Sequence, residues 1–283
     1  MYSELSDGTR LWYDYVGNGE EVIVQLGGAL LYRHNFAFVN DELSRHFRLL
    51  VHDPRGYGYS DRPMQKLSID VWADDLAELM ENVGQGSAHI FGTGLGAMIA
   101  LRLASRHPRL TRSLIWSGGF LKSDLYRQMR YRTWQRFARI VGMGDILADF
   151  ITLEAIGAKR LEEGPEIVDW FREMTQMVPL ETFALACTEL ETFDVTADVA
   201  MVSVPTLVLA AREDTLTPFE GMGGSGLGSK AVYEGIKGSE LVLFDGIGHS
   251  DVMEAPSKSA EAVTKFIQGL ASGEREGEQV GGG

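Results

Sequence analysis

At 283 residues the chain has the length of one large domain, or of one domain carrying an insertion. Its 45% hydrophobic content supports a sizeable core and excludes wholesale disorder. A formal charge of −14, from 26 basic and 40 acidic residues, excludes a general binder of nucleic acid or anionic membrane, because phosphate groups would repel it. The single cysteine, Cys187, excludes an internal disulfide and a multi-cysteine metal site.

The opening residues MYSELSDGTR lack the basic flank and apolar stretch of a signal peptide, and no apolar run reaches the ~18–20 residues of a membrane span. The expectation is a soluble, cytoplasmic protein. TRLWYDYV alternates as an early antiparallel strand does. EVIVQLGG and FRLLVHDPRG are short apolar runs closed by turn residues, the pattern of buried parallel strands. SIDVWADDLAELMENVG starts at a Ser68 cap with acidic residues in its first turn. Its apolar positions Val71, Leu76, Leu79, Met80 and Val83 follow helical spacing. AHIFGTGLG is a strand entering a glycine turn, AMIALRLASRHP a helix ended by Pro108, and SLIWSGG the next strand.

From about Leu121 to Asp194 helical patterns replace this alternation, which resumes with PTLVLAARED, ELVLFDGIGH and the helix SKSAEAVTKFIQGL. Alternation on both sides of a helical block predicts a parallel α/β sheet with an inserted helical cap. The expected division is a first core part over 1–120, a cap over 121–195, a second core part over 196–270 and a disordered tail over 271–283.

Gly92-Thr93-Gly94-Leu95-Gly96 lies between a strand and an Ala-rich helix. A dinucleotide fingerprint needs G-x-G-x-x-G on an early strand with an acidic residue closing the next, and none of these is met. The better match is the nucleophile elbow, G-x-S-x-G, whose flanking positions must be small. Its central position is Gly94.

In these segments the chain resembles the α/β-hydrolase fold superfamily over roughly residues 5–270. Val24-Gln25-Leu26-Gly27-Gly28 resembles the family's strand and oxyanion loop, with Leu26-Gly27 in place of the usual His-Gly. Asp53-Pro54-Arg55-Gly56-Tyr57-Gly58-Tyr59-Ser60 is similar to the D-x-R-G-x-G-x-S loop. Pro205 to Asp214 is similar to the strand that presents the triad acid, and Gly248-His249-Ser250 to the histidine loop. The order elbow, acid, histidine is that of the fold. The resemblance implies a mostly parallel sheet flanked by helices with a helical cap. It also implies a candidate catalytic set of His249, Asp214 and the nucleophile position Gly94, with the Gly28 and Leu95 amides as oxyanion donors.

Gly94 has no side chain, so no seryl acyl-enzyme forms there. Thr93 lies beside the elbow tip and would point elsewhere. With Asp214, or its neighbour Glu213, orienting the imidazole, His249 can deprotonate a water. Such a site suits a small ester, amide or carbamate-type substrate. The same base also suits a cofactor-independent lyase or cyclase, and the sequence leaves open a non-catalytic binding protein or an engineered Ser→Gly variant. The G-x-G-x-G elbow resembles the N-myc downstream-regulated family, from which the retained Asp214 and His249 depart. Gly94-Leu95-Gly96-Ala97 is similar to the elbow of the aminoacrylate/carbamate hydrolases.

No cofactor is implied, and His34, His46, His52, His89 and His107 show no metal-ligand spacing; His52 reads as structural. Arg55, Ser60 and Asp61 read as residues that hold their loop together. Gly226-Leu227-Gly228-Ser229-Lys230 reads as a flexible loop rather than a phosphate loop. Lys122, Arg127, Arg130, Arg132, Arg136 and Arg139 crowd the start of the cap, opposed by Asp124 alone. They form either a solvated face or a site where Arg127 and Arg130, beside Trp134, hold a substrate carboxylate. The expected partner is a small molecule, anionic on that second reading. The oligomeric state is left open.

Overall fold

A computed structural model describes residues 1–63 and 67–272; of the tail expected over 271–283, Ala271 and Ser272 belong to the last helix and residues 273–283 lie outside the described residues. Eight strands form one sheet: β1 (Tyr2–Glu4), β2 (Arg10–Val16), β3 (Val22–Leu26), β4 (Arg48–His52), β5 (Ala88–Thr93), β6 (Thr111–Ser117), β7 (Thr206–Ala211) and β8 (Glu240–Phe244). Their spatial order is β1-β2-β4-β3-β5-β6-β7-β8. The first two strands run antiparallel, with Tyr13 opposite His52, and every pairing from β4 to β8 is parallel. All six residues of β5 are buried, as expected of a central strand covered on both faces.

The helices are α1 (Asn40–Leu43), α2 (Ile69–Asn82), α3 (Leu95–Arg106), α4 (Leu125–Val141), α5 (Asp145–Ala155), α6 (Ala158–Glu163), α7 (Glu166–Gln176), α8 (Leu180–Thr192), α9 (Ser229–Gly235), α10 (Asp251–Glu254) and α11 (Pro256–Ser272). The five from α4 to α8 fill the interval between β6 and β7. Ser68 caps α2 by accepting from the Val71 amide at 3.2 Å. Asp124 caps α4 by accepting from the Arg127 amide at 2.9 Å. None of the described helices is long and apolar enough to cross a membrane.

Packing brings the central helix close to the sheet. α3 lies against β3, β5 and β6, and this contact leaves no room for a side chain at Gly96. A Cβ there would stand 1.9 Å from the carbonyl oxygen of Leu26. That oxygen is backbone in a paired strand and cannot step aside. Gly96→Ala is therefore expected to destabilise the fold by about 3 kcal/mol, read as a lowered Tm in a thermal melt; an unchanged Tm would refute this account of the contact.

The Asp53–Arg62 loop is tied down internally. Ser60 Oγ donates to the Asp53 carbonyl at 2.5 Å and accepts from the Trp12 amide at 2.8 Å. Arg55 is paired with Asp75 at 2.7 Å and with Asp7 at 2.6 Å, and Asp61 with Arg10 at 3.0 Å. His52 is buried at the end of β4, and desolvation pulls its imidazole down to about 4, so it is neutral at ordinary pH.

Candidate active site

The parallel strands point their C-terminal ends at one edge of the sheet, and the loops leaving β3, β5, β7 and β8 meet there. Gly94 forms the sharp turn between β5 and α3 with φ 57° and ψ −124°. Glycine takes up this conformation without steric cost, whereas other residues are strained in it. A Cβ built on Gly94 would lie 3.5 Å from the Gly28 Cα and 3.5 Å from His249 Nε2, which are ordinary contact distances. The turn thus has the strain of a nucleophile position and the room for a side chain, but no side chain.

His249 comes from the loop after β8. Its Nδ1 lies 3.0 Å from Asp214 Oδ2 and 3.0 Å from Thr217 Oγ1. Thr217 Oγ1 also donates to Asp214 Oδ2 at 2.6 Å, and the Leu216 and Thr217 amides donate to Asp214 Oδ1 at 2.8 and 2.7 Å. A carboxylate so well supplied with donors stays ionised. Burial pushes Asp214 up, but the His249 charge and hydrogen bond, with those of Thr217, hold it below the usual carboxylate range. Burial likewise pulls His249 down, yet the Asp214 charge and hydrogen bond, aided by Glu254 and Asp251, leave it above its ordinary 6.5. With Nδ1–H directed at Asp214, the Nε2 lone pair faces the Gly94 turn. The neighbouring Glu213 is exposed and takes no part.

The histidine loop is also fastened to the helical insert. Glu254 Oε2 accepts from the Gly157 and Gly248 amides at 2.8 and 2.9 Å, and Oε1 from the Ser250 amide at 3.1 Å. The His249 amide donates to the Ala155 carbonyl at 2.9 Å. The imidazole is therefore positioned by the sheet through Asp214 and by the insert through its backbone.

A cavity of about 80 Å³ opens in front of Gly94 and His249. The insert supplies Tyr131 and Trp134 from α4, Ile151 and Ala155 from α5, Phe171 from α7 and Leu190 from α8. The sheet side supplies Gly28, Asn35, Leu95, Met98, Leu216, Thr217 and Ser250, among others. Ser250 Oγ and Trp134 Nε1 are buried there without a hydrogen-bond partner in the protein. His249 is the one lining side chain able to carry a charge near neutral pH.

The structure brings Gly94, His249, Asp214, Leu95, Gly28 and Trp134 together, and it corrects the placement of the two arginines. Arg127 and Arg130 do not line the cavity. Arg127 is fully buried, paired with Asp124 at 2.5 Å, with its guanidinium 4.1 Å from the centre of the Phe120 ring. Arg130 donates to the Leu216 carbonyl at 3.2 Å and to the Tyr126 hydroxyl at 3.1 Å, and pairs with Glu154 at 3.4 Å. Arg130 is engaged in structural contacts, and Arg127 is held through Nη1 alone, its Nε and Nη2 buried without a hydrogen-bond partner; neither side chain is among the described residues that line the cavity. A second departure concerns Gly28. Its amide donates to Asn35 Oδ1 at 2.7 Å rather than facing the cavity unpartnered. The Leu95 amide opens α3, in the first turn, where a helix has no acceptor of its own for it.

Asn35, Thr217 and Glu254 are site residues that the motifs did not reveal. Thr217 stands three residues after the acid and Glu254 four after Ser250, spacings that suit turn and helix contacts, but nothing in the residue types marks Asn35.

Residues 21–256 match the model of the family described as the alpha/beta hydrolase fold. YisY of Bacillus subtilis, an AB hydrolase superfamily protein, is 26% identical over 94% of this chain and 98% of its own length. A protein assigned as a carbamate hydrolase, RutD of Azorhizobium caulinodans, is 26% identical over 74% of this chain and 78% of its own. Among solved structures, an esterase from Thermogutta terrifontis superposes with a TM-score of 0.84 at 24% identity, covering 95% of this chain and 98% of that one. An enol-lactonase from Burkholderia xenovorans LB400 gives 0.82 at 22% identity, covering 95% and 100%. At these identities the structural matches speak for the fold.

Proposed function

The chain belongs to the α/β-hydrolase fold family, and from that premise we propose that it hydrolyses a small, neutral ester, amide or carbamate-type substrate by general-base activation of water, without a covalent intermediate. The observation that carries this reading is the geometry of His249: Nδ1 is held by Asp214 at 3.0 Å, and Nε2 stands 3.5 Å from where a Gly94 side chain would begin. A water seated between Gly94 and Nε2 takes the place of a serine hydroxyl. The named relatives include hydrolases, and the RutD protein carries a carbamate in its name.

In this mechanism Nε2 accepts a proton as the water oxygen bonds to the substrate carbonyl carbon. The carbonyl π-pair moves to oxygen, where the Leu95 amide at the N-terminus of α3 stabilises the charge. Asp214 keeps the imidazole in the right tautomer and stabilises its protonated form. The tetrahedral intermediate collapses, the bond to the leaving group breaks, and His249 returns its proton to the departing oxygen or nitrogen. The helical insert acts as a cap whose apolar lining excludes bulk water and sets the size of substrate admitted. No Lys or Arg is among the described residues that line the cavity, which favours a neutral substrate over an anion.

A pH–rate profile tests this. His249 must be neutral to accept a proton, so turnover of a short-chain 4-nitrophenyl ester is low in acid and rises with pH, with a midpoint above 6.5. Asp214→Asn removes the charge that raises the imidazole, so the midpoint falls and the maximal rate drops by about 10²-fold or more. A midpoint indifferent to Asp214→Asn would contradict the pairing. The linked stability has the opposite sense. Because the folded imidazole is raised, its contribution is full below about 6.5, provided that Asp214 is ionised, and is lost as pH rises through the folded value.

A further inference from the structure

The oxyanion loop departs from a simple backbone donor at one point. Gly28 precedes a tight turn in which the Tyr32 amide donates back to the Gly28 carbonyl at 2.8 Å and Tyr32 itself takes φ 36°. The Gly28 N–H is then consumed by Asn35 Oδ1 at 2.7 Å. An N–H is met only by the oxygen of a carboxamide, so this contact fixes which way the Asn35 amide is turned. The NH2 is the end left over, on a side chain that lines the cavity beside Gly28, Gly94 and Leu95. We infer that Asn35 is a catalytic residue: its NH2 replaces the Gly28 amide as the second donor to the substrate's carbonyl oxygen. This rests on the reading of the cavity as a site for a carbonyl compound.

Two substitutions separate donation from bracing. Asn35→Asp keeps an oxygen for the Gly28 amide but offers the cavity no donor. Asn35→Ala removes the side chain and hands the Gly28 amide back to the cavity, so the number of donors is preserved. The loop keeps its Tyr32–Gly28 hydrogen bond in both. Removing one oxyanion donor lowers rates by about 10²–10³-fold.

The experiment places each change in a Gly94→Ser background and measures, by stopped flow, the rate of acylation by 4-nitrophenyl acetate. Acylation depends on the oxyanion site whether or not the unaltered protein activates water. Asn35→Asp is expected to acylate about 10²-fold more slowly than Gly94→Ser alone, and Asn35→Ala to stay within about tenfold. Because a carboxylate would also repel the oxyanion, Asn35→Leu, nearly isosteric with asparagine and so still covering the Gly28 amide while donating nothing, is measured beside it and is expected to show the same slowing, including where the aspartate variant fails to fold in a thermal melt. An Asn35→Asp rate equal to that of Gly94→Ser overturns the inference. So does an Asn35→Ala rate as low as that of Asn35→Asp, since Asn35 would then only brace the loop. Failure of Gly94→Ser to acylate at all also overturns it. Ester hydrolysis by the unaltered protein is measured separately. If it is absent while the variant pattern holds, the water-activating reading falls and the role of Asn35 stands; if it is present and the variants do not differ, the reverse follows.

Discussion

Gly94→Ser gives a protein that releases 4-nitrophenol from 4-nitrophenyl acetate in a burst stoichiometric with enzyme, at a rate at least about 10²-fold above that of the unaltered chain. The turn already holds φ 57° and ψ −124°, so the serine would inherit the strained backbone of an elbow nucleophile. Its Cβ would sit at contact distance from His249 Nε2, and a hydroxyl one bond further out comes within hydrogen-bond reach of that nitrogen. The imidazole is already oriented by Asp214 and Thr217. The cost is backbone strain of about 1–3 kcal/mol, because serine lacks glycine's freedom at positive φ, and it appears as a lower Tm. A variant that folds but forms no acyl adduct, followed by intact mass, would mean that Nε2 and the elbow are not mutually placed as described.

His249→Ala removes the base and lowers ester hydrolysis by about 10³-fold, with little change in affinity for a neutral, non-hydrolysable analogue of the substrate. The imidazole contributes more to chemistry than to structure. Its amide bond to the Ala155 carbonyl survives the substitution, and Asp214 keeps donors from the Leu216 and Thr217 amides and from Thr217 Oγ1. The loop is further held by Glu254, so a large loss of Tm is not expected. Undiminished turnover in this variant would remove His249 from the reaction and favour a protein that only binds.

The extent to which the sequence disclosed this site follows from the range of the interactions involved. β5 and its turn are local: a short strand rich in apolar residues and a glycine pattern are enough to place Gly94, and the φ value fits a strained turn. The strands on either side and the Ser68 cap have the same local character. The arginines show the other case. On α4, Arg127, Tyr131, Trp134 and Ala138 recur at spacings of four, three and four and are all buried on one face. The helical spacing of Trp134 and Ala138, extended back one and two turns from Trp134, reaches Tyr131 and Arg127. A guanidinium was not expected there, because its burial depends on Phe120 and Asp124 from the preceding loop. The Asn35 contact is likewise non-obvious, since it depends on how a loop of irregular backbone returns to Gly28, which no periodicity encodes. Motifs located the residues that meet at the sheet's edge; which polar groups satisfy one another there was set by tertiary packing.

The central claim is that water, not the protein, is the nucleophile. Its most direct test is the pre-steady-state time course of the unaltered protein with 4-nitrophenyl acetate, with samples quenched during turnover and weighed as intact protein. With water as the nucleophile, product release is linear from the first turnover and the protein mass never changes. A burst matching the enzyme concentration, accompanied by an acetylated protein, would contradict it.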